Sequence, residues 1–211
     1  DVEQMRTFEE FYDAYKAQMD DMLSLLVNAD NAIDAAHADR CPLPFLSSMV
    51  EDCIGRGKSV QEGGAVYNFT GPQGFGVANM ADSLYAVKTL VFDEKKLTLA
   101  EYKDALDHNY GRGVPAAEAE RLAVEIVRGL LAQGVTVGEK EIAAVIERVQ
   151  SGGADAEQKA KYDQLLEWIE AVPKFGNDNP EVDAFAREVA YTYTRPLERF
   201  KNPRGGQYQA G

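Results

Sequence analysis

The sequence predicts a mainly α-helical fold with a few short strands, near residues 60–77 and 203–210. Three observations lead there. Apolar residues recur at steps of three and four along most of the chain, the period of a helix that buries one face. Capping signals stand ahead of these runs: Thr7 with Glu10, Thr98 with Glu101, Thr136 with Glu139, and Asn179 with Pro180. Between them lies one interval in which Gly63, Gly64, Gly71, Gly74 and Gly76 crowd together, a density that demands tight turns or close backbone approach.

Taken in order, the first thirty-five residues read as one long amphipathic helix. Its stripe is Phe8, Phe11, Tyr12, Tyr15, Met19, Met22, Leu23, Leu26 and Ile33, best explained as a buried face. Cys41-Pro42-Leu43-Pro44 ends it, because proline cannot continue a helix. A second helix is expected from about Phe45 to Ile54, stopped by Gly55 and Gly57. After the glycine-rich interval, helical spacing returns from Val77 to Phe92. Thr98 starts a short helix to about Asn109, and Pro115 suits the first turn of one reaching about Gln133. Further helices are expected from Thr136 to the Gly152-Gly153 pair, from Ala156 to Val172, and from Pro180 to about Phe200. Residues 112–158 are polar outside, rich in alanine and poor in aromatics, as a peripheral helical insertion would be.

Composition excludes several classes of function. With 211 residues and a net charge of −13, the chain holds a real core but offers no surface for nucleic acid, which needs clustered Lys and Arg. The one basic cluster, Arg195, Arg199, Lys201 and Arg204, reads as a solvated helix end. No apolar run approaches the ~20 residues that span a bilayer, so no membrane partner is expected. Cys41 and Cys53 form neither a disulfide framework nor a metal pair, which suits a reducing, cytoplasmic compartment. His37 and His108 lack ligand-spaced partners, and His108 stands where a helix end favours it.

The glycine-rich interval is the one place where chemistry is written. Its order, G-P-Q-G-F-G, is not the dinucleotide G-x-G-x-x-G, and no G-K-[ST] follows. No nucleophile elbow, HExxH or paired Cys/His site occurs elsewhere. On residue chemistry alone the chain is an acidic, mostly helical domain.

The run Glu62-Gly63-Gly64-Ala65-Val66-Tyr67-Asn68-Phe69-Thr70-Gly71-Pro72-Gln73-Gly74-Phe75-Gly76-Val77-Ala78-Asn79 resembles the E-G-G-A-x-Y-N-x-T-G-x-Q-x-x-G-x-A-N segment of glycyl radical enzymes, the pyruvate formate-lyase-like family. Pro42-Leu43-Pro44-Phe45-Leu46-Ser47-Ser48 before it, and Ala81-Asp82-Ser83-Leu84 with Lys88 after it, agree in type and distance. Phe175-Gly176-Asn177-Asp178 and Asn202-Pro203-Arg204-Gly205-Gly206 follow in the family's order. The resemblance covers most of 1–111 and 159–211 and is closest to the eliminase branch, the glycerol and propanediol dehydratases and choline trimethylamine-lyase.

The resemblance implies that residues 1–211 are a partial domain, a fragment of a ten-stranded α/β barrel surrounded by helices. It implies a thiyl radical on a cysteine loop, G-C-x-E, and a radical on a glycine loop, R-V-x-G-Y, installed by an S-adenosylmethionine-dependent iron–sulfur activating enzyme. A buried site shields such chemistry from water. Neither loop is present: Cys41 is followed by Pro42-Leu43 and Cys53 by Ile54-Gly55. The chain is therefore expected to hold no catalytic residue, cofactor or metal, and to be inactive in isolation. Its implied partners are the remaining segments of the same enzyme, the activating enzyme and a small diol, amino-alcohol or related substrate, in a homodimer when complete. Glu62, Tyr67 and Asn68 are the candidate substrate-binding residues, against the alternative that each only shapes the loop. Gln73, Gly71 and Gly74 are expected to hold the loop. The competing reading is a stand-alone helical binding module, or a complementing chain without chemistry.

Overall fold

The computed structural model describes residues 4–114, 116–152 and 154–211. Two compact units emerge, Met5–Tyr85 with Pro173–Gly211, and Ala86–Val172 with Gln4.

The first unit is organised by α1 (Phe8–Arg40). Thr7 Oγ1 accepts the Glu10 N–H at 3.2 Å, as the spacing predicts. The reciprocal bond is shifted by one residue, because the Glu10 carboxylate accepts the N–H of Arg6, at 2.8 Å. Leu23 and Val27 of α1 are buried with Leu197 and Tyr208, and Met19, Tyr193 and Phe200 pack around them. Side chains this size contribute about 1.5–3 kcal/mol each when fully buried. The aromatic stripe of α1 packs as expected: Phe11, Tyr12 and Tyr15 lie against Ala81, Leu84, Ala186 and Val189. Met22, Leu26 and Ile33 depart from it and are exposed.

The expected second helix is two short ones, α2 (Pro44–Met49) and α3 (Cys53–Arg56). Val50 is extended and Asp52 takes a left-handed φ of 75°, so the backbone turns between them. Helical spacing alone does not reveal such a break. Cys53 is buried and Cys41 exposed. The next helix, α4 (Val77–Val87), passes into a π-helical turn at Lys88–Asp93, where the expected helix would have stayed regular to Phe92.

In the second unit, α5 (Leu99–Asp107) carries the full Thr98/Glu101 capping box. α6 (Ala116–Ala132) and α7 (Glu139–Ser151) pack on one another, with Ala119 and Ala123 of α6 buried. Pro115 and Gly153 lie outside the described residues. α7 is capped by Gly138 rather than Thr136; Glu141, not Glu139, reaches back to the Gly138 N–H at 3.0 Å. α8 (Ala156–Ala171) starts at a box of Asp155 and Gln158. His108 closes α5, its Nδ1 2.8 Å from the Asp104 carbonyl oxygen and its ring stacked on Tyr162. In the first unit, α9 (Pro180–Leu197) is capped by Asn179, whose Oδ1 accepts the Glu181 and Val182 N–H groups.

The expected short strands are reduced, among the described residues, to two single bridges. Thr70 pairs in parallel with Tyr208, and Lys201 antiparallel with Gln207. Proline and glycine interrupt both segments, at Pro72, Pro203, Gly205 and Gly206, and Pro72 and Pro203 lack the N–H that a ladder needs. Large apolar side chains are exposed at Phe45, Ile54, Tyr67 and Phe75.

Candidate functional site

The loop from Ser59 to Gly76 is built by short-range hydrogen bonds and by glycines that touch backbone. Ser59 Oγ accepts the Glu62 N–H at 3.3 Å, while Glu62 Oε2 accepts the Ser59 N–H at 2.9 Å and its hydroxyl at 2.8 Å. These bonds, the backbone one first, hold the Glu62 carboxyl below the usual carboxylate range, so it is ionised at neutral pH. Gly63 follows at φ 81°, where a Cβ would stand 2.5 Å from the Arg204 carbonyl oxygen. A Cβ on Gly64 would overlap the Lys58 carbonyl, and Gly64 N–H donates to Ser59 O at 2.8 Å. The E-G-G order thus has a steric cause.

Beyond Gly64 the loop is fastened by amides. Asn68 Nδ2 donates to the carbonyls of Ala65 at 2.8 Å and Gly63 at 3.3 Å. That fixes the amide's orientation and leaves Asn68 Oδ1 buried with no hydrogen-bond partner among the described residues. Tyr67 is 84% exposed, its ring turned outward. Thr70 N–H donates to Gln207 O at 3.1 Å, and Gln209 N–H donates to Thr70 O at 2.9 Å. Gly74 lies against Tyr193, where a Cβ would be 2.7 Å from ring carbon Cε1, and the Tyr193 hydroxyl donates to Pro72 O.

Two other motifs meet this loop or its flanks. The turn Asn202-Pro203-Arg204-Gly205-Gly206 lies against residues 63–70, and a Cβ on Gly206 would overlap the Asn68 carbonyl. Asp82 of α4 accepts the Phe175 N–H at 2.8 Å, joining the Ala81-Asp82-Ser83-Leu84 and Phe175-Gly176-Asn177-Asp178 motifs. Tyr208 is fully buried, its hydroxyl donating to Asn31 Oδ1 at 2.9 Å. Burial, then Asp30 and Asp34, pushes that phenol up to about 12.

Of the expected site residues, Glu62 and Tyr67 are exposed on the loop and Asn68 is half-buried beneath it. Gly71 has ordinary room for a Cβ, whose nearest neighbour would be the Phe69 ring at 3.7 Å, so it is not a close-contact glycine. Residue chemistry missed Thr70, Asn202, Arg204 and Asp34. The signal was in the N-P-R-G-G motif, but nothing in its residue types says which segment it touches. Arg204 is also not a solvated helix-end cation: its side chain is 19% exposed and bonds Asp34 at 2.9 Å. Elsewhere, α5 and α8 flank an open pocket of about 720 Å³ lined by Leu97, Ala100, Leu165 and Trp168, among others. None of the expected site residues lines it. Among the described residues no cluster of His, Cys, Asp and Glu could hold a metal, and no helix is long and apolar enough to cross a membrane.

A loop built on these motifs defines a class. The pyruvate formate lyase-like family model matches residues 1–211, and the chain belongs to that family, the glycyl radical enzymes. It is similar to a solved structure concerned with 1,2-propanediol dehydration in Roseburia inulinivorans, 55% identical with a TM-score of 0.83. That match covers 100% of this chain and 25% of the other. The glycerol-bound, B12-independent glycerol dehydratase of Clostridium butyricum is 41% identical with a TM-score of 0.72, over 100% of this chain and 21% of that one. The (2S)-3-sulfopropanediol dehydratase of Klebsiella oxytoca is 28% identical, over 98% of this chain and 19% of its own length. The resemblance to the eliminase branch therefore holds, and the chain spans a quarter or less of these relatives.

Proposed function

We propose that this chain is an internal scaffold segment of a glycyl radical eliminase, a dehydratase or lyase acting on a small diol, amino-alcohol or related compound. The observation that carries the reading is the 55% identity, at a TM-score of 0.83, to the propanediol-dehydration structure. In this reading residues 1–211 are a partial domain of a ten-stranded barrel, and the exposed faces around Phe45, Ile54 and Phe75 meet the barrel's other segments. Residues 112–158, which hold α6 and α7, are a peripheral insertion. The complete enzyme is a cytoplasmic homodimer served by an activating enzyme.

The radical chemistry does not fit the residues here. Cys41 is exposed and Cys53 buried, and neither is followed two residues on by a carboxylate. No reaction step is assigned to them. What the chain supplies is binding and orientation. Glu62 is exposed and ionised; its Oε2 is occupied by Ser59, while Oε1 takes no part in the cap and is placed to accept a substrate hydroxyl. Tyr67 offers an outward phenol, and Asn68 sets the loop beneath both.

The test is an anaerobic assay of the complete enzyme with its activating enzyme. A glycyl radical signal and dehydration of 1,2-propanediol are expected in the parent. Glu62→Gln keeps the shape of the cap but removes the charge, and is expected to raise KM about tenfold or more, the scale of a lost charge-assisted hydrogen bond. An unchanged KM would return Glu62 to a purely structural role.

A further inference from the structure

We propose that Asn202 and Arg204 are positioning residues that set the height of the Glu62–Thr70 loop, with the Thr70 hydroxyl as the shared seat. The geometry is specific. Thr70 Oγ1 accepts from Asn202 Nδ2 at 2.8 Å and from Arg204 Nη2 at 3.0 Å. Asn202 Nδ2 also donates to the Asn68 carbonyl at 2.5 Å, and Arg204 Nη2 to the Phe69 carbonyl at 3.4 Å.

Both side chains are themselves held. Asn202 is 5% exposed, and its Oδ1 accepts the Gly206 N–H at 2.9 Å, closing its own turn. Arg204 Nε donates to Asp34 Oδ2 of α1 at 2.9 Å, with both side chains about four-fifths buried. A chain of polar contacts therefore runs from α1 through Arg204 to Thr70, and from the Asn202 turn to Asn68. A buried amide and a planar guanidinium can each bond several groups at fixed angles, which a point charge cannot.

Two glycines set the distance these bonds span. Gly63 meets the Arg204 carbonyl and Gly206 meets the Asn68 carbonyl with no space for a methyl group. The turn and the loop thus contact backbone to backbone, and the polar groups fix the register along that contact. Asn68, fastened at its carbonyl by Asn202 and through its amide to Gly63 and Ala65, passes the position on to the stretch between Glu62 and Tyr67. The inference stands apart from the diol reading, since it concerns where the loop sits and not what it binds.

Thr70→Val keeps the volume and removes the shared acceptor; Thr70→Ser restores it. Amide hydrogen exchange on the protein is the readout, compared between residues 60–72 and the helices α5 and α8. Thr70→Val is expected to speed exchange in 60–72 by about tenfold or more while α5 and α8 are unchanged, and Thr70→Ser to return it to the parent rate. Asn202→Ala should act in the same segment. Unchanged exchange in 60–72 on Thr70→Val would overturn the proposal. So would an equal rise across the whole chain, or failure of Thr70→Ser to restore protection. These outcomes need no turnover, so a complete enzyme that forms no glycyl radical with its activating enzyme would refute the functional reading and leave this one standing.

Discussion

Each of the two units is held internally by a different kind of contact. In Ala86–Val172, caps and ion pairs join residues three or four apart: Thr98 to Glu101, Asp155 to Gln158, Lys161 to Glu157. A longer reach there is the bond from Tyr162 to Asp104, 58 residues apart. In Met5–Tyr85 with Pro173–Gly211, Asn202 reaches Asn68 over 134 residues, Arg204 reaches Asp34 over 170 and Tyr208 reaches Val27 over 181. Local caps tolerate drift, because each helix end is satisfied by its own neighbours. Contacts between distant segments do not, and they hold the Asn68–Thr70 end of the expected substrate loop, whereas Glu62 sits in a local cap of its own.

The largest effect expected from that contrast is at Gly206. Gly206→Ala forces a methyl into the Asn68 carbonyl and should cost about 3 kcal/mol or more, measured by denaturant unfolding. Its neighbour Gly205 has a φ of 84° and open space, so Gly205→Ala should cost only about 1–2 kcal/mol of backbone strain. Equal losses at the two positions would break the steric account of the turn. Next in size is Thr98→Ala, which removes one helix cap and should cost about 1 kcal/mol without changing hydrogen exchange in residues 60–72.

The smallest effect is a pH dependence common to both units. Hydrogen bonds from Ser59 lower the Glu62 carboxyl, and those from Thr98 lower that of Glu101. A carboxyl lowered by folding binds fewer protons in the native state than in the unfolded one. Its contribution is therefore present above the ordinary value of 4.5 and fades as pH falls below it. Acid titration followed by circular dichroism should show this fading in the parent and less of it in a Glu62→Gln, Glu101→Gln double variant. A double variant with the parent's acid profile would remove the caps from the account.

Legibility followed the same division. Helices with local signals could be read directly: the Thr98/Glu101 box and the Asn179 cap stand where the residues place them. Spacing missed the Val50–Asp52 break because a left-handed aspartate leaves no periodic trace. It placed the start of α7 at Thr136 because the pairing of Glu141 with Gly138 needs no side chain at the cap. At the loop, glycine density pointed to close backbone approach, and Gly63, Gly64, Gly74 and Gly206 show what is approached. That Thr70 and Arg204 share a hydrogen bond was invisible, since separation of 134 residues carries no pattern in a single sequence.

The bridge between Thr70 and Tyr208 also bears on when the loop can form. During synthesis residues 62–70 emerge long before Gln207 and Gln209, the backbone partners of Thr70. Closing so long a segment carries an entropic cost that only late contacts repay, which makes such pairings slow steps. The local helices can form as they leave the ribosome; the loop must wait until Gln207 and Gln209 arrive.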